Sequence, residues 1–176
     1  SDEGYYLLGT LYADDEKFDS MLVCFKSSLE ISKKFEKEIT NKKLVTWGDL
    51  FNKGVAFYQK AGKTEDTDSS KSYYVSSSTA FEKAITVMPD SPNTYKYLAY
   101  VYLNMGEYEK AIEPLNTLIK LDNSAEGYRF IGEIYFDEGE KLMAQYEESK
   151  DEAAKKEAQK KYEAAISILE KGKSLY

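Results

Sequence analysis

The sequence predicts an all-α protein, a superhelix of antiparallel helical hairpins. Three observations point that way. Proline is scarce, with 3 in 176 residues, so little interrupts a helix. Apolar residues recur at spacings of three and four, with hardly any of the alternation a strand would show. The same apolar pattern then returns several times along the chain, which marks a repeat architecture.

The elements follow in order. Tyr5, Leu8, Gly9 and Tyr12 mark a first helix, and Phe18, Met21, Phe25 and Ser28 a second. The lysine- and glutamate-rich stretch SKKFEKEITNKK reads as an elongated continuation of that second helix. Leu50, Gly54 and Phe57 begin the next hairpin, and Tyr74, Ser77, Phe81, Ala84 and Pro89 complete it. Between them lies GKTEDTDSSKS, Gly62 to Ser72, which has no apolar residue and is predicted to be a mobile loop at the hairpin tip.

Pro92–Asn123 is the clearest unit. Tyr95, Leu98, Ala99 and Tyr102 form its first helix, Gly106 its turn, and Tyr108, Ala111, Leu115 and Leu118 its second helix. Ser91 is placed to cap the helix that Pro92 opens, and Asn123 followed by Glu126 has the spacing of a capping box. Pro114 lies inside the second helix, where a bend is expected. The last unit runs through Tyr128, Ile131, Gly132, Tyr135 and Gly139 and returns through Tyr162, Ala165, Leu169 and Gly172. Its insert is helical: Leu142, Met143 and Tyr146 prolong one seam, Ala154 and Ala158 the other, and the chain reverses at Glu148–Asp151. The result is a hairpin with arms about three turns longer than usual.

The Pro92–Asn123 unit resembles the tetratricopeptide repeat, whose period is about 34 residues. Tyr95 stands for its Trp, Leu98-Ala99 for Leu-Gly and Tyr102 for its Tyr. Gly106, Tyr108 and Ala111 match outright, while Leu115, Leu118 and Asn123 replace Phe, Ala and Pro. The resemblance extends over residues 1–176 as one solenoid of about four units, near 2–45, 46–91, 92–124 and 125–176. Equivalent small residues Gly9, Gly54, Ala99 and Gly132 keep the register across the insertions.

Composition narrows the chemistry. The chain has no histidine, which removes His bases, His-paired nucleophiles and His-containing metal sites. Its single cysteine, Cys24, sits among Leu22, Val23 and Phe25 and reads as a small apolar packing group. The net charge is −7, and Arg129 is the lone arginine, so phosphate backbones are poor partners and no nucleic acid is expected. The longest apolar run, Tyr97–Leu103, falls far short of the roughly 18 residues needed to span a bilayer, so no membrane insertion is expected. Glu65, Asp66 and Asp68 lack the spacing of a calcium loop. No enzyme activity, metal or cofactor is expected.

What the resemblance implies is a concave face, built from the first helix of each hairpin, that takes a peptide or a segment of a partner protein. Its ligand positions fall on Tyr6, then Phe51, Val55 and Tyr58, then Asn93, Lys96, Tyr100 and Asn104, and finally Arg129, Glu133 and Phe136. These positions are rich in aromatic residues, the side chains that most often anchor an interface. Lys96 and Arg129 occupy the same position of adjacent repeats and could hold a carboxylate, although Glu126 and Glu133 stand ready to pair with Arg129 along its own helix. Thr10 and Val55 replace asparagines of the family's chaperone-tail clamp, so that ligand is not expected.

The alternative is self-assembly through the C-terminal end and the long last hairpin. No solvating helix follows Leu175-Tyr176, which fits either a segment of a longer protein or a homodimer formed through that end. The lysine-dominated basic set resembles bacterial members of the family. The compartment stays open between cytoplasm and periplasm, since no signal peptide is visible.

Overall fold

The computed structural model describes residues 1–175, and the Tyr176 half of the terminal Leu175-Tyr176 pair lies outside them. Eight helices account for the fold among the described residues: α1 (Asp2–Asp14), α2 (Phe18–Ile31), α3 (Glu36–Lys63), α4 (Thr67–Val87), α5 (Pro92–Asn104), α6 (Tyr108–Asp122), α7 (Ala125–Ser149) and α8 (Glu152–Lys173). The chain is all-α, as its periodicity requires. Two compact units divide it, residues 1–101 and 102–176.

In the first unit α1 packs on α2 and α3 on α4. Each hairpin closes where a glycine meets a large ring. A Cβ on Gly9 would stand 2.6 Å from the Phe25 ring, and one on Gly54 would stand 2.6 Å from that of Phe81. Serine hydroxyls fasten the same seams: Ser28 Oγ donates to the Asp2 carbonyl at 2.7 Å, and Ser77 Oγ to the Gly54 carbonyl at 2.8 Å. Phe18, Met21, Phe25, Ile39, Leu50, Ala84 and Val87 make the core, with Tyr6, Phe35 and Trp47 packed against it.

The second unit repeats the device. A Cβ on Gly132 would collide with Leu169, and one on Gly139 would stand 2.7 Å from Tyr162. These pairs lie seven residues apart on both α7 and α8. Another seven residues on, Lys155 lies over the Tyr146 ring at 4.9 Å. The long arm is therefore an antiparallel pair in heptad register, its α8 seam filled by the buried Ala154, Ala158 and Ala165. The chain reverses at Lys150, whose backbone is left-handed, and Asp151, whose carboxylate accepts from the Ala153 N–H at 2.9 Å. The expected reversal and long arms are both present.

The short turns share one shape. Gly106 has φ 72°, a conformation glycine adopts without strain, and the Glu107 N–H donates to the Tyr102 carbonyl at 2.9 Å. Glu16 takes the equivalent place in the first hairpin at φ 55°, with the Lys17 N–H on the Tyr12 carbonyl at 2.8 Å. Helix α6 runs through the buried Pro114, which leaves the Lys110 carbonyl without its helical donor.

Three local expectations need correction. The lysine-rich stretch does not prolong α2. That helix stops at Ile31, Ser32 is extended, with its Oγ donating to the Asp2 carboxylate at 2.6 Å, and most of SKKFEKEITNKK begins the 28-residue α3. The Gly62–Ser72 loop shrinks to Thr64–Asp66. The Asp66 carboxylate caps α4 by accepting from the Ser69 N–H at 2.8 Å, and Ser70 Oγ donates to the Ala61 carbonyl at 2.9 Å, so polar residues are folded into the helix. Asn123 does not cap α7 either. It ends α6 in a left-handed conformation, and Ser124 is the cap residue.

Candidate functional site

In the first unit Tyr97 links three of the predicted ligand positions, Phe51 and Tyr58 of α3 and Tyr100 of α5. Tyr97 of α5 lies against two of the α3 aromatics, 5.4 Å from Phe51 at right angles and 6.1 Å from Tyr58. Tyr100, one turn on, is 6.0 Å from Tyr97, and the Lys96 Nζ lies over the Tyr100 ring at 5.6 Å. Trp47 stacks on Phe51 at 5.3 Å, and its indole N–H donates to Thr94 Oγ1 at 3.1 Å. Beneath them Phe81 of α4 touches Phe51 and Tyr97, and Tyr74 lies 5.9 Å from Tyr58.

Seven rings thus form one continuous cluster. Phe81 is fully buried, while the other six keep part of their surface in solvent. The perpendicular and tilted contacts are the favourable edge-to-face kind, so the rings hold one another in place. Burial, with Tyr58 beside it, pushes the Tyr74 phenol upward, so Tyr74 remains a neutral hydrogen-bonding group. Val55 is half-buried on α3, and Asn93 is exposed in the first turn of α5.

Tyr6 lies elsewhere in this unit. It stacks on Phe35 at 4.7 Å, almost parallel, and on Phe25 at 6.4 Å, forming an edge of the core around the start of α3. Sequence reasoning missed Trp47, Tyr74 and Tyr97 as members of the cluster. The i, i+4 step from Trp47 to Phe51 and the i, i+3 step from Tyr97 to Tyr100 carry the signal that finds two of them.

The second unit holds the other predicted positions. Asn104 is exposed at the end of α5. Arg129 is exposed and paired with Glu133 at 2.6 Å, its guanidinium also lying over Phe130 at 4.1 Å. The expected pairing along its own helix is present. Phe136 leans on Tyr162 of α8 at 5.5 Å and leaves half its surface open.

The titratable groups are tuned toward ion pairing. Lys83 and then Lys53 hold the Glu16 carboxylate below its ordinary range, and Glu138 raises the Lys161 ammonium. Lys53 and Lys83 also edge a shallow cavity of about 290 Å³ between α3 and α4, floored by Leu50, Phe57 and Ala80 and away from the ring cluster. Among the described residues no three of His, Cys, Asp and Glu group as metal ligands would, and no helix is long and apolar enough to cross a membrane. Nothing among these groups places a nucleophile beside a base. The arrangement is suited to holding apolar and aromatic groups against a rigid, half-open surface.

Hairpins closed glycine against large side chain, in a register that recurs along the sequence, define a helical-repeat protein. The chain is a tetratricopeptide-repeat protein: two family models, both described as tetratricopeptide repeat, match residues 2–35 and 80–113. A 55-residue stretch is 38% identical to the Protein CTR9 homolog of Arabidopsis thaliana, covering 31% of this chain and 5% of that protein. The chain thus spans about a twentieth of that relative's length. Among solved structures it is similar to TTC0263, a thermophilic tetratricopeptide-repeat protein of Thermus thermophilus (16% identity, 94% and 99% of the two chains covered, TM-score 0.45). It is also similar to MamA AMB-1 (14% identity, 99% and 91% covered, TM-score 0.47). Repeats of this family generally mediate protein–protein interaction and are generally non-catalytic scaffolds.

Proposed function

We propose that this chain is a non-enzymatic scaffold that takes a segment of a partner protein on the first-helix face of its repeats, with residues 1–176 read as one repeat array. The observation that carries the reading is the ring cluster on α3 and α5. Phe51, Tyr58, Tyr97 and Tyr100 are held rigidly by one another and yet remain partly open, the arrangement that lets aromatic residues anchor an interface at little cost in side-chain freedom. Lys96 at the rim favours a ligand with apolar side chains and a carboxylate. Arg129, engaged with Glu133, contributes less.

Selection from a displayed peptide library on the immobilised chain tests this, with Tyr100→Ala/Lys96→Glu as the paired bait. Selected peptides should carry an aromatic or aliphatic residue near an acidic one. Their affinity should fall by about 30-fold or more on the double variant, the loss of an anchor worth about 2 kcal/mol. Equal binding to both baits, at equal helicity, would sink the groove reading. A second reading, self-assembly through the C-terminal end, has one observation in its favour: Ile166 and Leu169 of α8 are exposed.

A further inference from the structure

Helices α1 and α7 are repeat equivalents. Gly4, Leu8, Gly9 and Leu11 stand in α1 where Gly127, Ile131, Gly132 and Ile134 stand in α7. Each helix packs alike on its own hairpin partner, Gly9 against Phe25 and Gly132 against Leu169. Their other flanks differ. Helix α6 lies along α7, so that a Cβ on Gly127 would stand 2.7 Å from Ile119 Cγ1 and 3.3 Å from the Leu115 carbonyl oxygen. Under that cover Ile131 and Ile134 are 2% and 4% exposed. In α1 the same positions are open: Leu8 is 40% and Leu11 62% exposed, and a Cβ on Gly4 would meet only Ser1 Oγ.

The cover that α6 gives α7 has a known chemistry, and α8 is the repeat equivalent of α6. Ile166, Leu169 and Lys173 of α8 stand where α6 has Ile112, Leu115 and Ile119. Leu115 is fully buried, whereas Leu169 is 40% and Ile166 59% exposed. The one change of character, Ile119 to Lys173, falls at the position that meets Gly127 in α7. In α1 the neighbours of that position are Asp2 and Glu3. Helix α1 carries no basic residue, while the last turn of α8 carries Lys171 and Lys173. The Asp2 carboxylate is held by Ser32, and Glu3 is exposed beside it.

We infer that α8 of one copy docks on α1 of a second copy in the register that α6 takes on α7. Ile166 then packs on Leu11, and Lys173 faces Glu3. The contact joins two different faces, so it is heterologous and continues from copy to copy until it closes a ring or forms a filament. This deepens the self-assembly reading and is independent of the ring cluster, so Tyr100→Ala/Lys96→Glu should associate as the unaltered chain does.

The test is solution mass by light scattering and sedimentation from micromolar to near-millimolar chain. The unaltered chain should rise above 20.1 kDa with concentration. Leu11→Lys and Ile166→Lys, both at exposed positions, should each stay at monomer mass with unchanged helicity. Mixed in equal amounts, they should form a complex of twice that mass and stop, because each supplies the one face the other retains. Glu3→Lys and Lys173→Glu should each weaken association, and the double swap should restore it. Three outcomes would overturn the proposal. One is an unaltered chain that holds 20.1 kDa throughout, as it would if another helix or partner is the proper cover of α1. Another is self-association of Ile166→Lys where Leu11→Lys shows none, which means a symmetric α1-to-α1 contact. The third is a mixture that fails to pair.

Discussion

The hairpins α3/α4 and α7/α8 are both much longer than the α1/α2 pair, and they achieve that length with opposite materials. Along α3/α4 the seam is aromatic: Gly54 under Phe81, then Tyr58 on Tyr74 and Phe57 on Tyr73. Along α7/α8 it narrows to glycine and alanine, with Gly139 under Tyr162 and Ala154 and Ala158 buried beyond. Rings are too large to be consumed by one partner helix, so the first hairpin has surface left over, and Phe51 and Tyr58 offer it to α5. A small-residue seam is used up by the helix facing it. The lesson is that the aromatic surface a hairpin leaves to its neighbour follows from seam composition more than from hairpin length.

The sharpest way to break this contrast is at its most deeply buried ring. Phe81→Ala should cost about 3–5 kcal/mol, because a fully buried ring leaves a cavity between Gly54, Phe51 and Tyr97. Urea denaturation followed by fluorescence of the sole tryptophan, Trp47, reads it directly from within the cluster. In the other hairpin the damaging change is the reverse one. Ala158→Leu should destabilise by about 1–3 kcal/mol through overpacking of a fully buried position, seen as a lower midpoint of helix melting. Asp66→Ala removes the α4 cap and should cost about 1 kcal/mol, with faster amide exchange at Ser69 and its neighbours.

Two titrations separate the hairpins further. Tyr162 donates to Glu140, which raises the phenol to about 12. A folded value above the ordinary 10 means that the bond stabilises the arm fully below pH 10 and is lost as pH climbs through 12. Ultraviolet absorbance should show a tyrosine step near pH 12 in addition to the raised Tyr74, and Tyr162→Phe should abolish that step. Glu16 behaves oppositely. Lys83 and Lys53 hold it below its ordinary value of 4.5, so its contribution is present above that pH and fades as acid protonates it. With Glu16 half exposed the effect is the smallest of the set, visible as a shallower acid limb in the Glu16→Gln variant.

Much of this was legible in the residues. The small-against-large register, Gly9 with Phe25, Gly54 with Phe81 and Gly132 with Leu169, follows from the repeat alone, because only a glycine admits such close approach. The heptad continuation of the last hairpin was legible for the same reason. Three boundaries were not. Gly62–Ser72 has loop composition, yet the Asp66 cap and the Ser70 bond to Ala61 make its polar residues good company for a helix end. The lysine-rich stretch was assigned to the wrong helix because the stop depends on Ser32 reaching Asp2, thirty residues away in sequence. Asn123 and Ser124 are both good cap residues, and only backbone handedness shows that one closes α6 while the other opens α7.

The ring cluster was half legible. Phe51, Tyr58 and Tyr100 follow from their repeat positions. Trp47 is brought in by a helix that starts well ahead of the template's first position, and Tyr74, a seam position of the template's second helix, joins because Tyr58 packs against it. Tyr6 shows the converse: it occupies a ligand position, but Phe35 at the start of α3 stacks flat against it.

The matched seven-residue steps of α7 and α8 make the arm a ruler with fixed graduations. Removing or adding one step on each helix would move the Lys150–Asp151 tip by about 10 Å and leave every remaining seam contact in place. A four-residue change would instead rotate the tip away from its partner helix. Reach along this arm is therefore adjustable in whole graduations, without disturbing the base from which it projects.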